Sequence, residues 1–98
     1  GGTLTTLAAI DLGLDVYDGR RVQGHKLSRE TVEGLIMRLR YMSREERLQV
    51  KGLQPGRVDI IVPGAEIITS LMDTYQIGSI VISEADGLEG WQSQYGGR

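Results

Sequence analysis

The chain has 98 residues, of which 40% are hydrophobic and 24% are charged, the composition of one folded domain or of part of one. It contains no cysteine, which excludes a disulfide scaffold, a thiol nucleophile and a Cys-ligated metal site. No apolar run approaches the ~18 residues of a membrane span, and no basic-then-apolar leader opens the chain. We therefore expect a cytoplasmic protein with no membrane partner.

The net charge of −2 conceals a gradient along the chain. Residues 1–19 carry a charge of −3, residues 20–57 carry +6 and residues 58–98 carry −5. A basic middle segment can attract phosphate or nucleic acid, although a solvated helix face is the simpler explanation. We do not expect nucleic acid as a partner, because this segment lacks aromatic stacking residues and any recognised binding motif.

The first predicted element is a helix over residues 3–13. Thr3 is a suitable N-cap because its hydroxyl can accept a hydrogen bond from a free amide of the first turn, and Gly13 is a suitable end. Residues 15–27 indicate a loop or a weak hairpin, since Asp18 and Gly19 form a turn dipeptide.

The middle of the chain contains the clearest helix pattern. Ser28 can cap a helix over residues 29–42, in which apolar side chains recur at helical spacing. The apolar stripe consists of Val32, Leu35, Ile36, Leu39 and Met42. Ser43 then begins a short polar helix that ends near Gly52, and Gln54-Pro55-Gly56 predicts a turn.

Residues 57–75 allow more than one interpretation. The β-rich stretch 58–62 could be a buried strand, yet apolar residues continue at helical spacing as far as Tyr75. One helix over 57–75 would be about 28 Å long, with a kink at Pro63, which removes an amide donor. We favour this kinked helix; in the alternative, a new helix begins with Pro63 near its first position.

The last predicted strand is residues 79–83, which are apolar at the three consecutive positions 80–82. This pattern is typical of a strand that is covered on both faces. One such strand cannot form a sheet, so we expect its partners to lie either in another chain or in a missing part of the same one, and the 98 residues to be a single-domain fragment. A short helix over Leu88–Trp91 and a frayed tail over 92–98 complete the prediction.

Few residues in the sequence have the pattern of a reactive or metal-binding site. A Gly-Gly-Thr turn before a helix can bind an anion through free amides and the helix dipole, but this short motif is also an ordinary helix start. His25 is the only histidine, so neither a catalytic triad nor a His-ligated metal site can be argued. Asp11, Asp15 and Asp18 lack the spacing of a calcium loop.

Several motifs in this order resemble the exopolyphosphatase/guanosine pentaphosphate phosphohydrolase (Ppx/GppA) family. The motifs are Gly1-Gly2-Thr3 followed by Thr5-Thr6-Leu7-Ala8-Ala9, Val22 with Gly24 and Leu27, Arg57-Val58-Asp59-Ile60-Ile61 with Gly64, and Ile80-Val81-Ile82-Ser83. The resemblance implies an α/β, helix-rich fold, a fragment of an actin-like or ribonuclease H-like lobe. It places residues 1–98 in part of the second of two such lobes.

The resemblance also implies which residues lie near the ligand. Gly1, Gly2, Thr3 and Thr6 would lie on the phosphate or nucleotide side. Arg57, Asp59 and Gly64 would have a structural role or lie next to the cleft. These seven residues are the candidate site.

Two departures from the family pattern limit what the resemblance implies about function. The catalytic carboxylate and the Asp-x-Gly-Gly-Gly-Ser phosphate loop of the family lie upstream of the matched region, so no catalytic or metal-ligating residue is assigned here. The family's Leu-Arg-x-Gly motif is replaced by Leu88-Glu89-Gly90-Trp91.

We therefore expect a fragment of a Mg²⁺-dependent phosphohydrolase, inactive alone, whose parent cleaves terminal phosphate from polyphosphate or guanosine pentaphosphate. Its partner would be the remainder of the parent domain. The alternative is a non-catalytic helical module for interaction or dimerisation as a homo-oligomer.

Overall fold

The structure is a computed structural model that describes residues 2–83. The elements in chain order are α1 Gly2–Leu12, α2 Gly19–Val22, β1 Lys26–Ser28, α3 Arg29–Arg40, α4 Arg44–Arg47, a 3₁₀ turn Pro55–Arg57, α5 Ile61–Thr74 and β2 Ser79–Val81. The predicted helix over Leu88–Trp91 and the predicted tail lie outside the described residues. No helix of the described part combines the length and the apolar character that a membrane span needs.

Helix α1 begins one residue earlier than predicted and ends as predicted. Because Gly2 is already helical, Thr3 lies within the first turn, and its assignment as the N-cap is wrong. At the other end Gly13 has a φ of +69°. Its amide donates to the Ile10 carbonyl at 3.0 Å, and the Leu14 amide donates to the Ala9 carbonyl at 3.1 Å. This pair of bonds is a Schellman motif, which explains why the helix ends at a glycine.

The two serine caps of the middle segment are confirmed. The Ser28 hydroxyl accepts from the Thr31 amide at 3.0 Å at the start of α3. Ser43 and Glu46 form a reciprocal capping box at the start of α4, in which each side chain satisfies a free amide of the other residue. The predicted Asp18-Gly19 turn is instead a helix start, because the Asp18 carboxylate accepts from the Arg20 amide at 2.9 Å and caps α2.

The kinked helix over 57–75 is wrong, and so is the strand over 58–62. Residues 55–57 form a 3₁₀ turn, and a separate helix begins at Ile61, as in the alternative interpretation. Pro63 is the third residue of that helix, where an amide needs no partner within the helix. The proline therefore costs no hydrogen bond.

The predicted last strand exists, but its partner lies in this chain. Strand β2 pairs antiparallel with β1, and Leu27 lies opposite Ile80, both buried. The expectation that the partner strands lie outside these 98 residues is therefore wrong for this pairing. The three-residue β1 has no alternating pattern long enough to be recognised in the sequence. Val81 is 43% exposed, so the described residues cover one face of β2 and leave the other open.

The core is aliphatic and centres on α1, which contacts α2, α3 and α5. The largest fully buried side chains are Leu7, Val22, Leu27, Val32, Leu39, Val58, Ile61 and Met72. The surface of α5 that faces away from this core is also apolar, because Ile60 and Ile67 are 53% and 61% exposed. Together with the half-buried Leu71 they form the α5 apolar stripe.

Helices α3 and α5 are antiparallel and are joined along one edge by ion pairs. In each pair the arginine lies on α3 or α4 and the acid lies on α5 or just before it. The pairs are Arg29–Asp73, Arg40–Glu66 and Arg44–Asp59. In the first, Nε and Nη2 of the guanidinium donate to the two carboxylate oxygens at 2.5 and 3.0 Å. This two-point contact fixes the start of α3 against the end of α5.

Gly52 packs directly on α1, and we expect Gly52→Ala to lower the free energy of unfolding by about 2–4 kcal/mol. Gly52 has a φ of +90°, and a Cβ built there would lie 2.5 Å from the carbonyl carbon and oxygen of Ala9. The matched control is Gly56→Ala, because a Cβ at Gly56 meets nothing within 4 Å. Urea unfolding followed by circular dichroism measures both, and equal midpoints would contradict the packing.

The Arg29–Asp73 pair predicts a pH-dependent contribution to stability. The hydrogen bond from Arg29 lowers the pKa of the Asp73 carboxyl, so the contribution is present above the ordinary carboxyl pKa and is lost as pH falls through the folded value. We expect Asp73→Asn to lower the urea midpoint at pH 7 and to lower it progressively less as the pH falls below the ordinary carboxyl pKa. In an Arg29→Gln background Asp73→Asn should not lower the urea midpoint further. An equal decrease in both backgrounds would contradict the assignment of the effect to this ion pair.

Candidate functional site

The guanidinium of Arg57 lies against the first residue of α1. A Cβ built on Gly2 would lie 2.6 Å from both Cζ and Nη2 of Arg57, so this side chain occupies the space that any other residue at position 2 would fill. Nε of Arg57 donates to Oε1 of Gln54 at 3.1 Å. Its two terminal nitrogens therefore lie beside the N-terminus of the helix.

This arrangement places two positive features side by side. The amides of the first turn of a helix have no partner within the helix and carry the positive end of its dipole. The first turn of α1 contains no acidic residue, and within residues 2–83 Arg57 makes no ion pair. A cation is unfavourable at this end of a helix, and a bound anion would relieve that repulsion while accepting hydrogen bonds from both partners.

The segment 52–58 brings Arg57 to this position. Leu53 and Val58 are buried at its two ends, and Gly52 contacts the α1 backbone at Ala9. Since Arg57 contacts Gly2, the segment runs antiparallel to α1 over seven residues of the helix, about 10 Å.

Arg47 holds the far end of this segment and was not identified from the sequence. Its Nε donates to the Leu39 carbonyl at 2.8 Å, and its Nη1 donates to the Val58 carbonyl at 3.0 Å. It thus satisfies a carbonyl of the last turn of α3 and ties that turn to the residue after Arg57. The only sequence signal was a basic residue soon after a helix end.

Thr3 and Gly64 form a close contact between α1 and α5. A Cβ built on Gly64 would lie 2.9 Å from Oγ1 and 3.3 Å from Cγ2 of Thr3, so a side chain at position 64 would push the helices apart. The position of Gly64 fits the expected structural role, which is to allow α1 and α5 to pack closely. Thr3 lies next to Gly2, with its side chain facing α5.

The remaining candidate residues are placed elsewhere. Thr6 is 4% exposed and faces the interior, so the structure does not bring its hydroxyl to the Gly2 surface. Gly1 lies outside the described residues. Asp59 binds Nε of Arg44 at 3.1 Å and not Arg57, which places it among the ion pairs of the α3–α5 edge.

The acidic residues of the first segment are separated from one another. Asp11 binds Nε2 of His25 at 2.7 Å, Asp15 pairs with Lys51 at 3.3 Å, and Asp18 caps α2. In the described part of the chain no three His, Cys, Asp or Glu side chains are grouped so that they could hold a metal. The candidate site itself presents amides and a guanidinium, which do not fit Mg²⁺, an ion that prefers oxygen ligands.

Comparison with known proteins identifies the family. The sequence model of the Ppx/GppA phosphatase family matches residues 1–91. The chain belongs to the Ppx/GppA phosphatase family. The match extends over nearly the whole chain and confirms the resemblance that the Gly-Gly-Thr and Arg-x-Asp motifs indicated.

Two curated relatives have similar sequences. The bifunctional 3-dehydroquinate synthase/phosphatase of Fusobacterium nucleatum is 31% identical over 90 residues, which are 91% of this chain and 13% of that protein. Exopolyphosphatase 2 of Mycobacterium tuberculosis is 30% identical over 93 residues, with 91% of this chain and 29% of that protein covered. The chain thus spans less than a third of either relative.

Solved structures of the family have the same fold. The Aquifex aeolicus Ppx/GppA phosphatase in its type II variant superposes with a TM-score of 0.81 at 26% identity, covering 94% of this chain and 31% of that one. An exopolyphosphatase-like protein superposes with a TM-score of 0.79 at 34% identity, covering 98% and 33%. The predicted fold class, a helix-rich fragment of an actin-like lobe, is confirmed.

Proposed function

We propose that this chain forms one wall of the phosphate-binding cleft of a phosphohydrolase that releases terminal phosphate from inorganic polyphosphate or guanosine pentaphosphate. Membership of the Ppx/GppA family and the similarity to an exopolyphosphatase support this reaction class. The observation that carries the proposal is the Arg57 guanidinium, which has no ion pair within residues 2–83 and lies at the N-terminus of α1.

In this proposal the residues of the wall bind and orient a phosphoryl group. Amides of the first turn of α1 donate to its oxygens, and the terminal nitrogens of Arg57 donate from the side. Gly2 carries no side chain, which leaves room for the Arg57 guanidinium beside the first turn. Thr3 lies at the edge of the site, and Thr6 supports α1 from the interior.

The rest of the catalytic apparatus would come from other polypeptide. Phosphoryl transfer to water needs a positioned water and several donors around the phosphate, usually with Mg²⁺, and this wall supplies a part of those donors. We place residues 1–98 in the second lobe of a cytoplasmic parent, whose other segments would provide the catalytic carboxylate and the metal ligands. Because the described residues do not fit Mg²⁺, no step at this wall depends on it.

The α5 apolar stripe favours a second, non-catalytic role in docking. Ile60 and Ile67 expose more than half of their surface, and side chains of this kind are commonly covered by a partner. The two candidates are the remainder of the phosphatase domain and a second copy of the chain. Light scattering separates them, because a concentration-dependent dimer of the isolated chain would favour self-association.

We expect Arg57→Ala to weaken the binding of inorganic tripolyphosphate by the 98-residue chain about 10- to 100-fold, because charge-assisted hydrogen bonds contribute about 1.5–3 kcal/mol. Isothermal titration calorimetry at fixed ionic strength measures the dissociation constant. The matched control is Arg38→Ala, which removes an exposed arginine that has no ion pair in the described region. An equal loss in both variants would show that overall charge, and not the α1 site, binds the anion.

We expect the isolated chain to release no phosphate from polyphosphate in the presence of Mg²⁺, because one wall of a cleft lacks the groups that activate water. Release of inorganic phosphate is followed against a buffer blank before and after repurification. Turnover that copurifies with the chain and is lost in Arg57→Ala would refute the assignment of a non-catalytic wall.

A further inference from the structure

Gln54 and Arg57 are joined by two hydrogen bonds that close one turn of chain. The Arg57 amide donates to the Gln54 carbonyl at 2.9 Å, and Nε of Arg57 donates to Oε1 of Gln54 at 3.1 Å. Pro55 lies between them at the first position of the 3₁₀ turn, where its ring limits the backbone. The turn therefore fixes both the main chain and the direction of the guanidinium.

The side chain of Gln54 has no other role visible in the described residues. It makes no capping hydrogen bond to the 3₁₀ turn, and it is exposed, so it adds little to the core. Its one side-chain hydrogen bond goes to Nε, the guanidinium nitrogen that points away from Gly2. Nη1 and Nη2 keep their donors for a ligand.

The Gln54 side chain is uncharged, and this affects how Arg57 can bind an anion. A carboxylate at position 54 would pair with Arg57 and compete with an incoming phosphate, whereas an amide oxygen orients the guanidinium and leaves its charge uncompensated. Holding a flexible arginine in its binding position before the ligand arrives reduces the side-chain entropy that is lost on binding.

We propose that Gln54 is a positioning residue, which holds the Arg57 guanidinium over the N-terminus of α1 for a phosphoryl anion. This inference rests on the proposed function of the α1 wall. It assigns to residues 54 and 57 one joint role: Arg57 contacts the anion, and Gln54 acts through Arg57.

The test measures tripolyphosphate binding by the 98-residue chain in a double-mutant cycle. We expect Gln54→Ala to raise the dissociation constant about 3- to 10-fold, as the loss of one neutral hydrogen bond would, with the thermal midpoint unchanged. Gln54→Glu should raise it further than Gln54→Ala does. In an Arg57→Lys background, which has no Nε to orient, Gln54→Ala should change the constant less than twofold. Gln49→Ala, another exposed glutamine, is the matched control.

The outcomes separate this inference from the function on which it rests. Weaker binding in Arg57→Ala with unchanged binding in Gln54→Ala would overturn the positioning role and leave the phosphate wall intact. No tripolyphosphate binding by the unsubstituted chain would contradict both. A second readout needs no ligand: the Arg57 Nε–H resonance in NMR should be protected from exchange with solvent in the unsubstituted chain and lose that protection in Gln54→Ala. Equal exchange in the two would also overturn the proposal.

Discussion

The packing of residues 52–58 along α1 is the constraint on which the rest of the structure depends. Gly52 touches the helix backbone at Ala9, buried Leu53 and Val58 anchor the segment, and Arg57 reaches Gly2 at the other end. A cation and a helix N-terminus that are 55 positions apart in sequence are thereby brought into contact. The proposed anion site depends on this packing, because a helix start and a surface arginine are each common when they occur alone.

The charges of α3, α4 and α5 support this arrangement from the outside. Each ion pair is partly exposed, and such pairs contribute little individually. Their distribution is more informative, since all three arginines come from one side and all three acids from the other. The antiparallel orientation of α3 and α5 brings each of these three arginines to an acid. In this way the basic middle of the chain is used mostly within the fold, which accounts for much of the charge gradient in the sequence.

Elements with local signals could be predicted from the sequence, and those that depend on distant contacts could not. Ser28, Ser43 and the stripe from Val32 to Leu39 are local, and α3 and α4 begin where these predicted them. Both helices end earlier than predicted, α3 at Arg40 instead of 42 and α4 at Arg47 instead of near Gly52. Residues 57–62 were wrongly predicted to belong to one helix with α5, because their apolar pattern continues in phase with it. Only Pro63 marked the true helix start. Strand β1 is three residues long and forms because β2 pairs with it, 53 positions away by register, so no local pattern could reveal it.

In the candidate site, too, the sequence identified local features but not the contacts between distant residues. The motifs identified Gly2 and Arg57 as separate features, one near the ligand and the other structural or next to the cleft, but no spacing rule relates positions 2 and 57. Thr6 shares a motif with Gly2 but is buried, and the motif did not show this because the burial depends on the elements that pack against α1. The bonds from Arg47 to two backbone carbonyls are likewise visible only once α3 and the 3₁₀ turn are in place.

The contact between Gly2 and Arg57 also shows why a glycine suits position 2. Its φ is not in the left-handed region, so the backbone there would tolerate another residue; the missing side chain matters because the guanidinium fills its volume. A methyl group at position 2 would therefore require the Arg57 guanidinium to move. Positions 2 and 57 are therefore linked, because a side chain at the first would change where the guanidinium of the second, more than fifty residues later, can lie.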